Sequence, residues 1–202
     1  MVLIIDYGMG NIHSVQKAIE AVGQKTIVGN SPSDLQKAKK VVFPGVGAFS
    51  DAMANLKETG LAQAITDYIQ KGGMLLGICL GMQLLFEESE ESPDTTGLGI
   101  FNGRVVRFLQ KKDLKIPHMG WNQLKIVKND CPLLSGINPG SFVYFCHSFY
   151  PDPKDKDIIA ASTEHGRDFA SVVWKGNCFG VQFHPEKSQS VGRIILNNFL
   201  KL

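Results

Sequence analysis

The sequence predicts an α/β domain whose central, mostly parallel sheet carries helices on both faces and gains antiparallel strands in its C-terminal half. Three observations predict it. In the first half, short apolar runs alternate with segments of helical period, the pattern of successive βαβ units. In the second half, short strand-like runs are separated by Gly, Pro, Asn or Asp, as in antiparallel additions to a sheet. The 202 residues, 44% of them hydrophobic, suffice for one sizeable core. No repeat, low-complexity tract or linker divides the chain, so residues 1–202 are read as a single domain.

Val2 to Ile5 reads as the first strand. Ile12, Val15, Ile19 and Val22 then recur at helical spacing, with Gly23 as the expected C-cap. Thr26 to Val28 is a second strand, Ser31-Pro32 a helix start, and Val41 to Phe43 a third strand running into Pro44-Gly45-Val46-Gly47. Helical stretches follow at about 49 to 58 and 61 to 71, the second ended by Gly72-Gly73. Met74 to Ile78 is the next strand, and a helical pattern resumes over Met82 to Glu87. Beyond it, Arg104 to Leu109, Gln123 to Val127, Phe142 to Phe145, Ile158 to Ser162, Ser171 to Lys175 and Cys178 to Phe183 read as short strands. Val191, Ile194, Ile195, Leu196, Phe199 and Leu200 give a closing amphipathic helix. In such a sheet, sites gather beyond the carboxyl ends of the strands.

Bulk properties narrow the function classes. A net charge of +2 comes from 21 basic and 19 acidic residues mixed along the chain, so neither a nucleic-acid-binding surface nor an anionic-membrane surface is expected. The N-terminus lacks the basic start and cleavage site of a signal peptide, and no apolar run approaches the ~20 residues that span a bilayer. A cytosolic location is expected. Cys79, Cys131, Cys146 and Cys178 show no CxxC spacing, which argues against a disulfide framework or a zinc site. No metal or cofactor is expected.

The chemistry centres on Gly77-Ile78-Cys79-Leu80-Gly81, which follows an apolar run and opens a helix-patterned one. A tight strand-to-helix turn lifts a side chain clear of the backbone, and the flanking glycines leave room for that geometry. A helix N-terminus at Cys79 would also favour a thiolate. Taken alone, the motif is equally well read as a buried cysteine between two glycines. A thiolate needs a base, and His184 stands at the end of the run Cys178 to Phe183, with Glu186 two residues on. In an extended segment those two side chains share a face, so Glu186 could accept the imidazole N–H and set its tautomer. Singly, each is better read as a structural histidine and a surface charge; together with Cys79 at strand ends, the functional reading prevails. Acyl transfer also needs oxyanion donors. The N–H of Leu80 and that of Val46, in its glycine loop, are the candidates, each worth roughly 3 kcal/mol to the transition state.

Pro44-Gly45-Val46-Gly47, Gly77 to Gln83 and Phe183-His184-Pro185-Glu186, in this order along nearly the whole chain, resemble the class I (triad) glutamine amidotransferases. Within that class, Asp6-Tyr7-Gly8-Met9-Gly10-Asn11, Pro44 to Phe49, Pro117-His118-Met119-Gly120-Trp121-Asn122 and His184 to Ser188 resemble the glutaminase subunits of imidazole glycerol phosphate synthases. Related subunits usually carry Pro-Gly-Gly in the loop and lack the Pro-His-Met-Gly-Trp-Asn segment. The resemblance implies a flavodoxin-like three-layer fold. It also implies that Cys79 attacks the side-chain amide of L-glutamine, giving a glutamyl thioester and ammonia. His184 would move the protons and Glu186 would orient it. Gln83 and Glu91 would contact the glutamine, with Gly47 and the main chain of Ser148-Phe149 closing around it. Glu91 lies in the acidic run Glu87 to Glu91, equally well read as a solvated helix end.

The implied partner is a cyclase subunit, a (β/α)8 barrel. It uses the ammonia to form imidazole glycerol phosphate and an aminoimidazole carboxamide ribonucleotide in histidine biosynthesis. Asn11, Met119, Trp121 and Lys187 would face it. Three of them have a simpler reading: Asn11 as an N-cap, Trp121 as core, Lys187 as a surface lysine. His118, His147 and His165 receive no catalytic role, and His13 starts the first helix. The rival readings are another class I glutaminase subunit, a stand-alone cysteine hydrolase, and a scaffold without catalysis.

Overall fold

A computed structural model describes residues 2–112 and 114–202. The first half follows the expected alternation: β1 (Val2–Ile5), α1 (Ile12–Glu20), β2 (Thr26–Gly29), α2 (Pro32–Lys37), β3 (Lys40–Gly45), α3 (Phe49–Glu58), α4 (Leu61–Gln70) and β4 (Met74–Cys79). A single helical turn, α5 (Leu80–Gln83), leads into β5 (Phe86–Ser89). Then come β6 (Phe101–Arg107), β7 (His118–Gln123), β8 (Lys125–Ile126), β9 (Phe142–His147), β10 (Phe149–Pro153), β11 (Ile159–Glu164), β12 (Asp168–Lys175), β13 (Cys178–Val181) and the closing α6 (Gln189–Lys201).

The main sheet runs β2-β1-β3-β4-β13-β12-β11-β8. Its first five members pair in parallel, and β12, β11 and β8 are antiparallel additions. Strand alternation divides the core between the two faces of the sheet. Val2 and Ile4 pack with Val15 and Ile19 of α1 and Ile195 and Phe199 of α6. Leu3 and Ile5 pack instead with Leu35 of α2, Met53 and Leu56 of α3, and Ile65 of α4. A fully buried side chain of this size contributes about 1.5–3 kcal/mol, so this two-sided burial fixes which residue of each strand faces which helix layer. No helix among the described residues is long and apolar enough to cross a membrane.

The sequence misjudges several elements. The helix expected over Met82 to Glu87 ends at Gln83, and Phe86–Ser89 is a strand paired with β6. Leu84, Leu85 and Phe86 are all fully buried, so no polar helix face exists there. The carbonyls that would continue the helix are taken by a loop: Leu84 O accepts from Leu98 N–H, and Leu85 O from those of Ile100 and Phe101. Strand β7 went unread, and the run expected at Gln123 to Val127 divides at Leu124 into the end of β7 and the short β8. β10 contains two prolines, which local propensity disfavours; it is tolerated as the edge of the small sheet β10-β6-β5.

Candidate active site

β3, β4 and β13 end side by side, and their register assembles the site. Gly45 lies opposite Cys79, and Val181 opposite Ile78, so the chain leaving β13 passes the cysteine through Gln182 to His184. Cys79 itself has φ +54°, a conformation that a side chain adopts only at a cost of about 1–3 kcal/mol. The bracketing glycines make the turn possible. A Cβ on Gly81 would lie 1.8 Å from the Phe43 carbonyl oxygen, and one on Gly77 would lie 2.8 Å from the Gly81 oxygen.

The side chains of His184 and Glu186 are both buried, and the His184 Nδ1 lies 2.8 Å from Glu186 Oε1. Because a carboxylate only accepts, Nδ1–H donates and Nε2 is left for Cys79. Burial pulls the imidazole's pKa down, but hydrogen bonds to Cys79 and Glu186 and the charges on both outweigh it and push the value up to about 10. The expected pairing is therefore present, though not for the expected reason: Pro185–Lys187 forms a 3-10 turn rather than continuing extended. Ser188 pins this turn. Its hydroxyl donates to His184 O (2.7 Å) and accepts from Tyr144 N–H (3.0 Å). Ser188 stood in the quoted His184 to Ser188 segment, but a lone serine gave no signal of the role.

A cavity of about 330 Å³ opens over Cys79, small for a ligand pocket and suited to one amino acid. Its wall includes Val46, Gly47, Leu80, Gln83, Glu91, Ser148, Phe149, His184 and Lys187. A larger cavity of about 590 Å³, beside α2 and α4, is lined by none of the expected site residues and by no cysteine, serine, threonine or histidine. Gln83 spends both amide hydrogens, one on Phe149 O (2.9 Å) and one on Gln182 Oε1 (3.1 Å), which leaves its own oxygen to accept from a ligand. Glu91 does not end a helix; it follows β5. Its Oε2 accepts from Phe49 N–H at 3.0 Å and so caps α3, whose N-cap residue Ala48 has no side chain to do so.

The two candidate oxyanion donors differ. Leu80 opens α5, so its N–H has no acceptor within the helix. The Val46 N–H donates to Met9 O at 3.2 Å and is therefore committed away from Cys79. Making it available requires rotation of the Gly45–Val46 peptide.

Beside the cavity, β7 and β9 form a two-stranded ribbon with one face exposed. Met119 (62% exposed), Trp121 (45%) and Phe142 (52%) lie on that face, so Trp121 is not a core residue. The Trp121 ring meets Tyr144 edge-on, and Lys187 Nζ sits 5.8 Å above the Tyr144 ring, joining the ribbon to the rim of the site. Asn11 is exposed and acts as N-cap of α1, its side chain accepting from Ser14 N–H. The ribbon's other face holds two buried histidines that the sequence offered no reason to connect. Asn122 donates to His118, His118 Nδ1 lies 3.0 Å from His147 Nε2, and His147 Nδ1 lies 2.8 Å from Phe149 O. The carbonyl can only accept, so each ring is a neutral relay; burial pulls His118 down to about 4 and His147 to about 3.

Residues 3–202 match the model of the family described as glutamine amidotransferase class-I. The chain is 50% identical to the imidazole glycerol phosphate synthase subunit HisH of Geobacillus kaustophilus, over 99% of this chain and 96% of that one. It is 48% identical to the subunit of the same name from Bacillus subtilis, over 100% and 96% of the two chains. Among solved structures, one described as a glutamine amidotransferase superposes with a TM-score of 0.78 at 18% identity, covering 100% of this chain and 98% of the other. The structure of PurLQS from Thermotoga maritima also reaches 0.78, at 20% identity over 99% and 97% of the chains, and like the first it speaks to the fold. Full-length matches of this extent place the chain in the class I glutamine amidotransferase family.

Proposed function

We propose that this chain is the glutaminase subunit of an imidazole glycerol phosphate synthase, hydrolysing glutamine with Cys79, His184 and Glu186 and passing ammonia to a separate cyclase subunit. The observation that carries the chemistry is the buried His184–Glu186 pair poised over a strained cysteine in a cavity of about 330 Å³. Cys79 adds to the side-chain amide carbon, and His184 gives its proton to the departing ammonia, leaving a glutamyl thioester. His184 then takes a proton from water, which attacks the thioester and frees glutamate and the thiol. Gln83 Oε1 and the Glu91 carboxylate supply acceptors for the N–H groups of glutamine. Related subunits with other partners would share this chemistry; the roughly 50% full-length identity to HisH subunits favours the cyclase.

Ammonia released into neutral water is protonated and loses its nucleophilic pair, so the product must reach the acceptor site directly. The exposed Met119–Trp121–Phe142 face is a fitting dock, since aromatic anchors dominate interfaces. The Val46–Met9 hydrogen bond gives docking something to change. With one oxyanion donor turned away, turnover should sit about 10²–10³ below its full value. The test is glutaminase activity of the chain alone, then with the cyclase and its nucleotide ligand. Weak activity alone and a large rise in the complex are expected; full activity alone, or none in the complex, refutes the proposal. Cys79→Ala should abolish glutamine use while the complex still makes product from ammonium salts.

A further inference from the structure

One buried polar side chain beside Cys79 has no part in the steps above. Gln182 is 0% exposed and follows β13, with its main-chain N–H fixed to Ser171 O at 2.9 Å. Its side-chain Nε2 lies 3.7 Å from Cys79 Sγ, and its Oε1 accepts from Gln83 Nε2 at 3.1 Å.

The direction of this amide follows from its neighbours. The Phe149 carbonyl can only accept, so the Gln83 group facing it at 2.9 Å is the NH2. The second hydrogen of that NH2 points at Gln182, which must present its oxygen. The other half of the Gln182 amide, turned to the sulfur, is therefore the NH2. His147 donates to the same Phe149 oxygen at 2.8 Å, so both acceptor positions on that carbonyl are used and neither glutamine gains by flipping.

We propose that Gln182 is a further residue of the catalytic centre, an N–H donor that faces the Cys79 sulfur and stabilises it whenever it is anionic. The inference rests on Cys79 being the nucleophile. A neutral thiol is a poor acceptor, whereas an anionic sulfur makes a charge-assisted hydrogen bond, so the contact favours the thiolate and aims it. The same N–H acts a second time when the thioester is hydrolysed and the sulfur leaves as an anion. Because the amide oxygen of Gln182 holds Gln83, the residue also ties the nucleophile to the wall that meets glutamine.

Two variants separate these duties. Q182M is unbranched and of similar length, and it removes both the donor to sulfur and the acceptor for Gln83. Q182E keeps an oxygen for Gln83 but withdraws the amide donor from sulfur. The readout is the rate of iodoacetamide alkylation at Cys79 near neutral pH, followed by peptide mass spectrometry to exclude the other cysteines, alongside thermal melts and glutamine kcat and KM in the cyclase complex. Both variants should alkylate roughly 10- to 100-fold more slowly, with kcat reduced in proportion, and the Q182M deficit should close at high pH, where the thiol ionises unaided. KM for glutamine should rise in Q182M alone. Alkylation within twofold of wild type in variants that melt cooperatively overturns the proposal. Should Q182E not fold, Q182M, which introduces no charge, decides. Alkylation needs no glutamine, so a wild-type complex inert toward glutamine would sink the proposed function while Gln182 is still judged.

Discussion

Replacing Glu186 with Gln keeps the volume and removes the charge behind His184. In the folded site the imidazole is held at about 10 against its ordinary 6.5, a preference for the charged ring of about 5 kcal/mol. Cys79 and Glu186 both contribute to the rise, so Glu186 is assigned about 2 kcal/mol, in line with hydrogen bonds to charged groups. Lost from the transition state, that amount lowers kcat about 30-fold. It also alters stability. The folded value lies above the unfolded one, so the stabilisation is fully present below pH 6.5 and is lost as the pH rises through about 10. Glu186→Gln should therefore melt about 4–8 °C lower than wild type near pH 6, with the gap closing towards pH 10. The assays are glutamine-dependent and ammonia-dependent synthesis in the complex, and melting curves across that pH range. A kcat within threefold of wild type, or a melting gap that is constant from pH 6 to 10, would refute the reasoning.

Two further substitutions probe the rim. Glu91→Gln keeps an oxygen for Phe49 N–H but loses the charge, so KM for glutamine should rise about tenfold while unfolding free energy falls by less than about 1 kcal/mol, read by urea titration. Trp121→Ala removes an exposed ring and should leave the melting temperature of the isolated chain nearly unchanged while weakening cyclase binding by about 10- to 100-fold, measured by calorimetry. Unchanged affinity would move the docking face elsewhere.

Much of the site was legible because its signals are local. The glycines around Cys79 are required by backbone contacts within a few residues of the turn and by the neighbouring strand, and a short motif records them. His184 and Glu186 stand two apart and pair whether the intervening backbone is extended or a 3-10 turn, so the pairing survived a wrong account of its cause. The parallel half of the sheet was equally readable, since its strands and helices bury continuous runs and stripes. β5 was not: the apolar run leading into it fits a helix, and only the loop that captures the Leu84 and Leu85 carbonyls and the pairing with β6 make it a strand.

The sequence by itself determined the α/β alternation, the glycine-flanked turn at Cys79, the pairing of His184 with Glu186, and the family. Those features are written in short spacings and glycine requirements. Tertiary structure alone decided that Val46 N–H is tied to Met9, that Glu91 caps α3, that Trp121 is exposed, and that Gln182 presents an amide hydrogen to the sulfur. Each depends on a partner brought from another part of the chain, and hydrogen-bond direction is set by that partner rather than by the residue that carries the group.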